Sequence, residues 1–287
     1  MKADIAPTTL WSLDETVTGT LVIGRGPFFQ AISSAGEAGS RVRGLRIKRR
    51  QIEAGSVGLS FSYDMLEKVL ARRGPAHRLV RVPQDEVPPD LVADIRHRCR
   101  LIGLALREPE NEPGVAAGQA PPETTAKDRA AVLAEAVEAT AAADDLTIWF
   151  FFDNVGAALP EAARLALEGF IDAALVQPHV RLAIAGFETL PLPGLEFATA
   201  SPPEGDRSPG LVVEYVGGFR RADLLDFLTL ASRDLTGDVD LAAMNQAADR
   251  ALVGLADFNG LYADEDLATV SERLRLDLEL LRQAGSG

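Results

Sequence analysis

The sequence is poor in the residues that build disulfides, metal centres and membrane spans. Its single cysteine, Cys99, excludes an internal disulfide and a cysteine-rich metal site. The three histidines, His77, His97 and His179, lack the spacing of a metal-binding motif. No apolar run approaches the roughly 18 residues of a membrane helix, and the N-terminus lacks the apolar stretch of a secretory signal. We therefore expect a cytoplasmic protein without a metal site or a membrane partner.

Charge is unevenly distributed along the 287 residues, whose net charge is −13 at pH 7. Residues 1–107 contain 17 Lys and Arg against 11 Asp and Glu, whereas the rest of the chain contains 12 against 31. The acidic balance disfavours nucleic acid as a partner. The basic run 41–50 is compatible with an anion contact, but it lacks the aromatics that stack bases. We favour a strand end that pairs with the acidic second half.

Apolar patterning predicts alternating strands and helices. Predicted strands cover 17–23, 42–47, 79–82, 146–154, 180–185 and 211–216. Predicted helices cover 28–35, 62–72, 90–106, 127–142, 159–175 and 220–233, and the rest to about residue 281 reads as helical. Continuously apolar strands such as 146–152 are typical of a parallel sheet covered on both faces. We expect an α/β core over 1–218, with an exposed Pro- and Glu-rich loop at 108–125, and a helical lid-like subdomain over 219–287.

The turn after the first predicted strand, residues 24–31, stands where a phosphate-binding loop would stand. Such a loop reads Gly-x-x-x-x-Gly-Lys-Ser/Thr, in which the lysine reaches the phosphates and the hydroxyl holds Mg²⁺. With Gly24 in the first position, Phe29, Gln30 and Ala31 take the last three. This replacement opposes productive Mg-ATP binding, although Arg25 could supply the missing positive charge.

The strand 146–154 ends in Asp153 and Asn154, like a Walker B element whose aspartate orients Mg²⁺. Asn154 replaces the acidic residue that polarises water in hydrolases, and Asp153 could instead only cap the strand. We predict no catalytic residues. If a residual site for weakly bound ATP or ADP exists, its residues are Gly24, Arg25, Gly26, Gln30, Asp153 and Asn154.

The order of these pieces resembles a STAND-type, AAA-related P-loop NTPase. The resemblance covers roughly 17–235 and includes a strand in the sensor-1 position at 180–187 and a lid-opening segment at 218–228. The degraded loop is most similar to the inactive STAND branch of bacterial signalling and conflict proteins. This resemblance implies a P-loop NTPase fold and a regulatory, sensing or scaffolding module without efficient ATP hydrolysis. Its partners would be other protein modules or effector chains, and homo-oligomerisation stays open.

A dinucleotide-binding enzyme is the alternative. Gly24 and Gly26 match two glycines of Gly-x-Gly-x-x-Gly, and the basic residues of 46–50 follow the second predicted strand, where an NADP 2′-phosphate would bind. Phe29 opposes this interpretation, because the third glycine of that motif permits close helix–strand packing.

Overall fold

The computed structural model describes residues 20–37, 39–50, 57–83, 90–107, 125–153, 159–188, 191, 194–202 and 207–285. The described strands are β1 Val42–Arg49, β2 His77–Pro83, β3 Thr147–Asp153, β4 Val180–Ala185, β5 Leu195–Phe197, β6 Gly210–Val216, β7 Phe219–Arg220, β8 Asp257–Phe258 and β9 Leu261–Tyr262. The described helices are α1 Gly26–Ala35, α2 Val57–Arg73, α3 Leu91–Leu101, α4 Ala126–Ala143, α5 Glu161–Leu175, α6 Arg221–Thr236, α7 Leu241–Leu252 and α8 Leu267–Gly285, with a 3₁₀ turn at Asp264–Asp266.

These elements belong to two compact units. The sheet unit comprises the described residues of Gln30–Lys48 and Leu66–Tyr215, and the helical unit comprises those of Met1–Phe29, Arg49–Met65 and Val216–Gly287. The last segment of the helical unit starts close to the predicted boundary at residue 218. That unit also takes two earlier segments, which the prediction assigned to the core.

The sheet unit is built on a six-stranded parallel sheet with the order β2-β3-β4-β1-β6-β5. Strand β3 reads Thr-Ile-Trp-Phe-Phe-Phe-Asp, and its last six residues are all buried. Every residue of β4 is buried as well. Such strands require cover on both faces, because most side chains on either face are apolar and are shielded from water. The predicted α/β fold class with a parallel sheet is confirmed.

Helices cover the two faces of this sheet. On one face, α3, α4 and α5 pack in a single apolar core against alternate residues of β2, β3 and β4, such as Val80, Phe150 and Leu182. Arg181 follows the other alternation of β4, and its guanidinium donates to the carbonyl oxygen of Ala35 at the end of α1. The alternation of strand side chains therefore produces three layers.

The helical unit has its own core. Leu21, Ile23, Phe219 and apolar residues of α6, α7 and α8 form one buried cluster. A small antiparallel sheet with the order β7-β9-β8 accompanies it. Among the described residues, none of the helices has the length and apolarity needed to cross a bilayer.

The first predicted strand, 17–23, is wrong in its described part. Thr20 forms an isolated bridge and residues 21–23 have no strand structure. Leu21 and Ile23 are buried among helices, and the backbone N–H of Leu21 donates to Ser271 Oγ of α8 at 2.9 Å. A side chain thus satisfies the N–H that a sheet ladder would have used.

Other predicted elements need smaller corrections. The helix predicted over 90–106 ends at Leu101, because Gly103 adopts a positive φ of 77° and turns the chain. Strand β5 lies where no strand was predicted, and the predicted helical tail is interrupted by the β8–β9 hairpin. Asn259 and Gly260 at that hairpin's turn both have positive φ, as a type I′ turn requires. Residues 108–124 of the predicted loop lie outside the described residues.

Candidate functional site

The carboxyl ends of the parallel strands define the edge of the sheet unit where a ligand site is expected. In open α/β sheets, ligands bind at this edge, where successive connections leave to opposite sides of a central strand. The central strand is β1, which lies between β4 and β6. After β1 the chain crosses to β2, which is an edge strand of the sheet. Strands β3 and β4 then fill the two positions between β2 and β1. A ligand site is therefore expected at the carboxyl ends of β1, β4 and β3.

Asp153 ends β3 at this edge and is deeply buried, with only 4% of its surface exposed. Its Oδ2 accepts a hydrogen bond from Arg81 Nη2 of β2 at 2.8 Å. Arg81 pairs with Phe151 in the parallel register, so its side chain lies diagonally next to that of Asp153 on the same face. The other carboxylate oxygen, Oδ1, is buried and has no hydrogen-bond partner among the described residues.

The resemblance to P-loop NTPases implies a Mg²⁺ ion near Asp153, but the residues present do not fit it. A cation already contacts the carboxylate, namely the guanidinium of Arg81. In the described part of the chain, there is no group of three or more His, Cys, Asp or Glu side chains that could hold a metal ion. Asn154, the predicted neighbour in this site, lies outside the described residues.

The predicted loop Gly24–Gly26 belongs to the helical unit, where a carboxylate lies beside it. Gly24 has a positive φ of 72°, and a Cβ placed on it would lie 3.4 Å from Cγ of Asp223. Asp223 also accepts a hydrogen bond from the backbone N–H of Arg220, the N-cap residue of α6. A fixed negative charge beside the loop opposes the binding of a phosphate there.

Arg25 is engaged inside the helical unit. Its Nη2 donates to Ser62 Oγ at 2.7 Å, and its guanidinium lies 5.1 Å from the ring centroid of Phe28. Burial raises the pKa of Asp264, and the positive charge of Arg25 opposes that rise. These contacts assign Arg25 a structural role. Gln30, in the sheet unit, lies on the exposed side of α1.

The topology moves the candidate phosphate loop to a different segment. A P-loop connects a central strand to the helix that opens with its Gly-Lys-Ser/Thr triplet. Among the described strands, β1 is the central strand that would precede such a loop. The helix after it, α2, begins at Val57. Residues 53–60 read Glu-Ala-Gly-Ser-Val-Gly-Leu-Ser, so Gly58 and Ser60 match the motif while Glu53 replaces its first glycine.

Leu59 stands at the lysine position of this alignment and is fully buried. The sequence prediction missed this match because it took 17–23 as the first strand. The signal was present in the sequence, since a strand and then two closely spaced glycines precede a helix. Residues 51–56 lie outside the described residues.

Two cations of the basic run 41–50 share one acidic partner. Arg46 Nε and Lys48 Nζ lie 2.9 and 2.8 Å from the carboxylate of Glu196 on β5. Arg46 Nη2 also donates to the carbonyl oxygen of Phe187. Burial lowers the pKa of Arg46, and the charge of Glu196 opposes the change. The predicted pairing of this run with the acidic second half is confirmed for these two residues.

Cys99 and His179, two further residues singled out in the sequence, have structural contacts. Cys99 is buried in the core beneath α3, and burial raises the pKa of its thiol to about 12. His179 Nδ1 lies 2.7 Å from Glu138 Oε1, and its backbone N–H donates to the same carboxylate. Within the part of the chain that the structure describes, neither residue belongs to a group of side chains that could hold a metal ion.

Comparisons with known proteins do not assign this chain to a family. No protein-family model matches the chain, and no curated protein sequence matches it. A solved structure, the Walker-type ATPase PABY2304 of Pyrococcus abyssi, aligns with 91% of this chain and 76% of its own length at 14% sequence identity. The TM-score of 0.33 is too low to establish a shared fold.

Proposed function

We propose that this chain is a P-loop-NTPase-like module that has lost efficient ATP hydrolysis and acts as a regulatory, sensing or scaffolding component. The observation that carries the proposal is the state of Asp153. This aspartate stands at the end of β3, where the resemblance expects a Walker B residue, and its charge is already compensated by Arg81. A carboxylate bound to an arginine is a poor partner for hydrated Mg²⁺.

The segment after β1 supports the same conclusion. Leu59 replaces the lysine that reaches the phosphates, and Glu53 brings a negative charge in place of a glycine. Both replacements oppose the binding of a polyphosphate. They do so independently of the Arg81–Asp153 pair, because they concern the phosphates and not the metal.

Because the module has lost efficient ATP hydrolysis, we infer that it acts by binding other proteins. Proteins that keep such a fold without the chemistry contribute shape and contacts, so the proposed partners are protein modules or effector chains. A self-associated form is compatible with this role. The link to bacterial signalling or conflict systems rests on the resemblance alone.

The residual site made of Gly24, Arg25, Gly26, Gln30, Asp153 and Asn154 stays a prediction. The contacts of Arg25 with Ser62 and Phe28 argue against a free anion-binding role for it. The NADP alternative is weakened, because Gly24 follows no strand of the described sheet and Glu196 binds Arg46 and Lys48.

Calorimetric titration with ATP, ADP and NADPH, each with and without Mg²⁺, tests the proposed function. We expect no magnesium-dependent binding of ATP. Affinity that falls in both Arg25→Ala and Asp153→Ala would restore the residual site. Selective NADPH binding that Arg49→Ala abolishes would replace the proposal with the enzyme alternative.

A further inference from the structure

The turn of the β8–β9 hairpin contains an asparagine side chain that can be modified without an enzyme. Asn259 is the one asparagine of the sequence that is followed by glycine. Asn259 and Gly260 form the loop of the hairpin, and both are exposed. We propose that Asn259 is a site of spontaneous deamidation in the folded protein and that the carboxylate of Asp257 limits the rate. This inference does not depend on the proposed function.

The reaction needs only the two residues of the turn and water. The backbone nitrogen of Gly260 loses its proton and attacks Cγ of Asn259, which closes a succinimide ring and releases ammonia. Water then adds to either carbonyl carbon of the ring, and the ring opens to aspartate or isoaspartate. Each conversion consumes one water and releases one ammonia, with no change of oxidation state. Glycine favours ring closure because it has no side chain to hinder the attack.

Asp257 holds the atom that starts this reaction. The N–H of Gly260 donates to Oδ1 of Asp257 at 2.7 Å. Because the reaction must remove this same proton, the hydrogen bond stabilises the unreacted state. The negative charge of Asp257 also disfavours the anionic nitrogen that remains when the proton leaves. A carboxylate is far too weak a base to remove an amide proton itself.

The backbone of the turn adds to this restraint without preventing the reaction. Asn259 and Gly260 have φ values of 54° and 75°, and a type I′ turn sets ψ of its first loop residue to roughly +30°. Ring closure requires the Gly260 nitrogen to eclipse Cβ of Asn259, so the turn must first rotate. Strand β8 is an edge strand of two exposed residues, so the hairpin can open locally at little cost compared with global unfolding.

The isoaspartate product is incompatible with this turn. It adds a methylene group to the backbone of a two-residue loop whose geometry joins β8 to β9. Strand β9 also pairs with β7, where the rings of Tyr262 and Phe219 stack with their centroids 5.5 Å apart. The modification therefore changes the edge of the small sheet that carries this aromatic pair.

Timed incubation of the full chain at mildly alkaline pH, followed by tryptic peptide mapping, tests the inference. The peptide 251–273 contains Asn259, and the peptide 234–250 contains Asn245 as an internal control. Asn245 is followed by glutamine, and its side chain accepts a hydrogen bond from Arg221. We expect aspartate and isoaspartate to accumulate at Asn259 and not at Asn245. Enzymatic methylation detects the isoaspartate.

Two variants separate the role of Asp257 from that of any nearby charge. Asp257→Ala should raise the rate at Asn259 in the folded protein by roughly three- to tenfold, because the Gly260 N–H loses its acceptor. Glu265→Ala is the matched control, since it removes an exposed carboxylate from the same peptide, and it should react like the wild type. In urea, the wild type and Asp257→Ala should react at the same, higher rate, because the turn is absent.

Three results would overturn the inference. One is a folded wild type that shows no conversion at Asn259 while the sample in urea converts completely. Another is a wild type that reacts as fast when folded as in urea. The third is a folded Asp257→Ala protein that reacts no faster than the wild type. Asp257 is exposed, so its truncation spares the core, and circular dichroism checks that the variant is folded. No nucleotide is present, so these outcomes are distinct from failure of the proposed function.

Discussion

Gly44 of β1 and Leu182 of β4 face each other without space for a side chain between them. They are register partners, and a Cβ on Gly44 would lie 1.7 Å from the carbonyl oxygen of Leu182. Gly44 also has a φ of 138°, a conformation that residues with a side chain rarely adopt. This close contact holds β1 at the centre of the sheet, which is the position that defines the candidate site.

Gly44→Ala should therefore be strongly destabilising, by more than about 4 kcal/mol, because the methyl group would collide with backbone in the middle of the sheet. Chemical denaturation, or the yield of folded protein, measures the effect. Gly39→Ala is the control, since Gly39 also has a positive φ but no atom of the described residues lies within 4 Å of its Cβ position. It should cost only about 1 kcal/mol, and similar losses for the two variants would contradict the packing argument.

Glu196→Ala should destabilise the protein by roughly 1–3 kcal/mol, because it removes the carboxylate that compensates the buried guanidinium of Arg46. The half-exposed position of Glu196 keeps the loss below that of a fully buried pair. The control is Asp144→Ala, which removes the exposed pair of Asp144 with Arg107 at 3.5 Å. It should cost less than about 0.5 kcal/mol, so equal losses in urea titrations would show that Glu196 does not support Arg46.

Much of the sheet unit was predictable from the sequence, and the reasons are local. The apolar run of β3 predicts a buried strand, and the apolar residues of α3, which recur at helical spacing, predict a helix. The order of the strands was not predictable in this way. Residues 17–23 have strand propensity, but Ser271, about 250 positions later, accepts the N–H of Leu21. The misplaced first strand then placed the candidate phosphate loop at 24–31 and hid the match at 53–60.

The Arg81–Asp153 pair was missed for a related reason. The two residues are 72 positions apart, and only the parallel register of β2 with β3 brings them together. Asp153 itself was predictable, because an aspartate after a buried strand is a strong local signal. The local sequence also predicts the hairpin at Asn259 and Gly260, since Asn-Gly is typical of type I′ turns.

Leu59→Lys should destabilise the protein by about 2–5 kcal/mol and should not create ATP hydrolysis. Leu59 is fully buried, so a lysine there loses apolar packing and must bury or neutralise its ammonium. Leu59→Met preserves the volume and should cost less than about 1.5 kcal/mol. Urea denaturation of both variants measures the difference, and a Leu59→Lys protein that is fully stable and binds ATP would show that the position still accepts a phosphate-binding residue.

Cys99 should be inert in the folded protein, because burial raises the pKa of its thiol to about 12. A thiol reagent at pH 8 should label it slowly in buffer and completely in urea. Since the unfolded thiol ionises from about pH 8.5 while the native thiol stays protonated, the free energy of unfolding should decrease as pH rises from there towards 12. Rapid labelling in buffer would contradict the buried environment.

The most direct test of the central claim is release of phosphate from ATP by the purified chain in the presence of Mg²⁺. With Arg81 bound to Asp153 and Leu59 at the lysine position, the account predicts a rate indistinguishable from that of ATP incubated without protein. A magnesium-dependent rate that is proportional to protein concentration and is abolished in Asp153→Ala would contradict it.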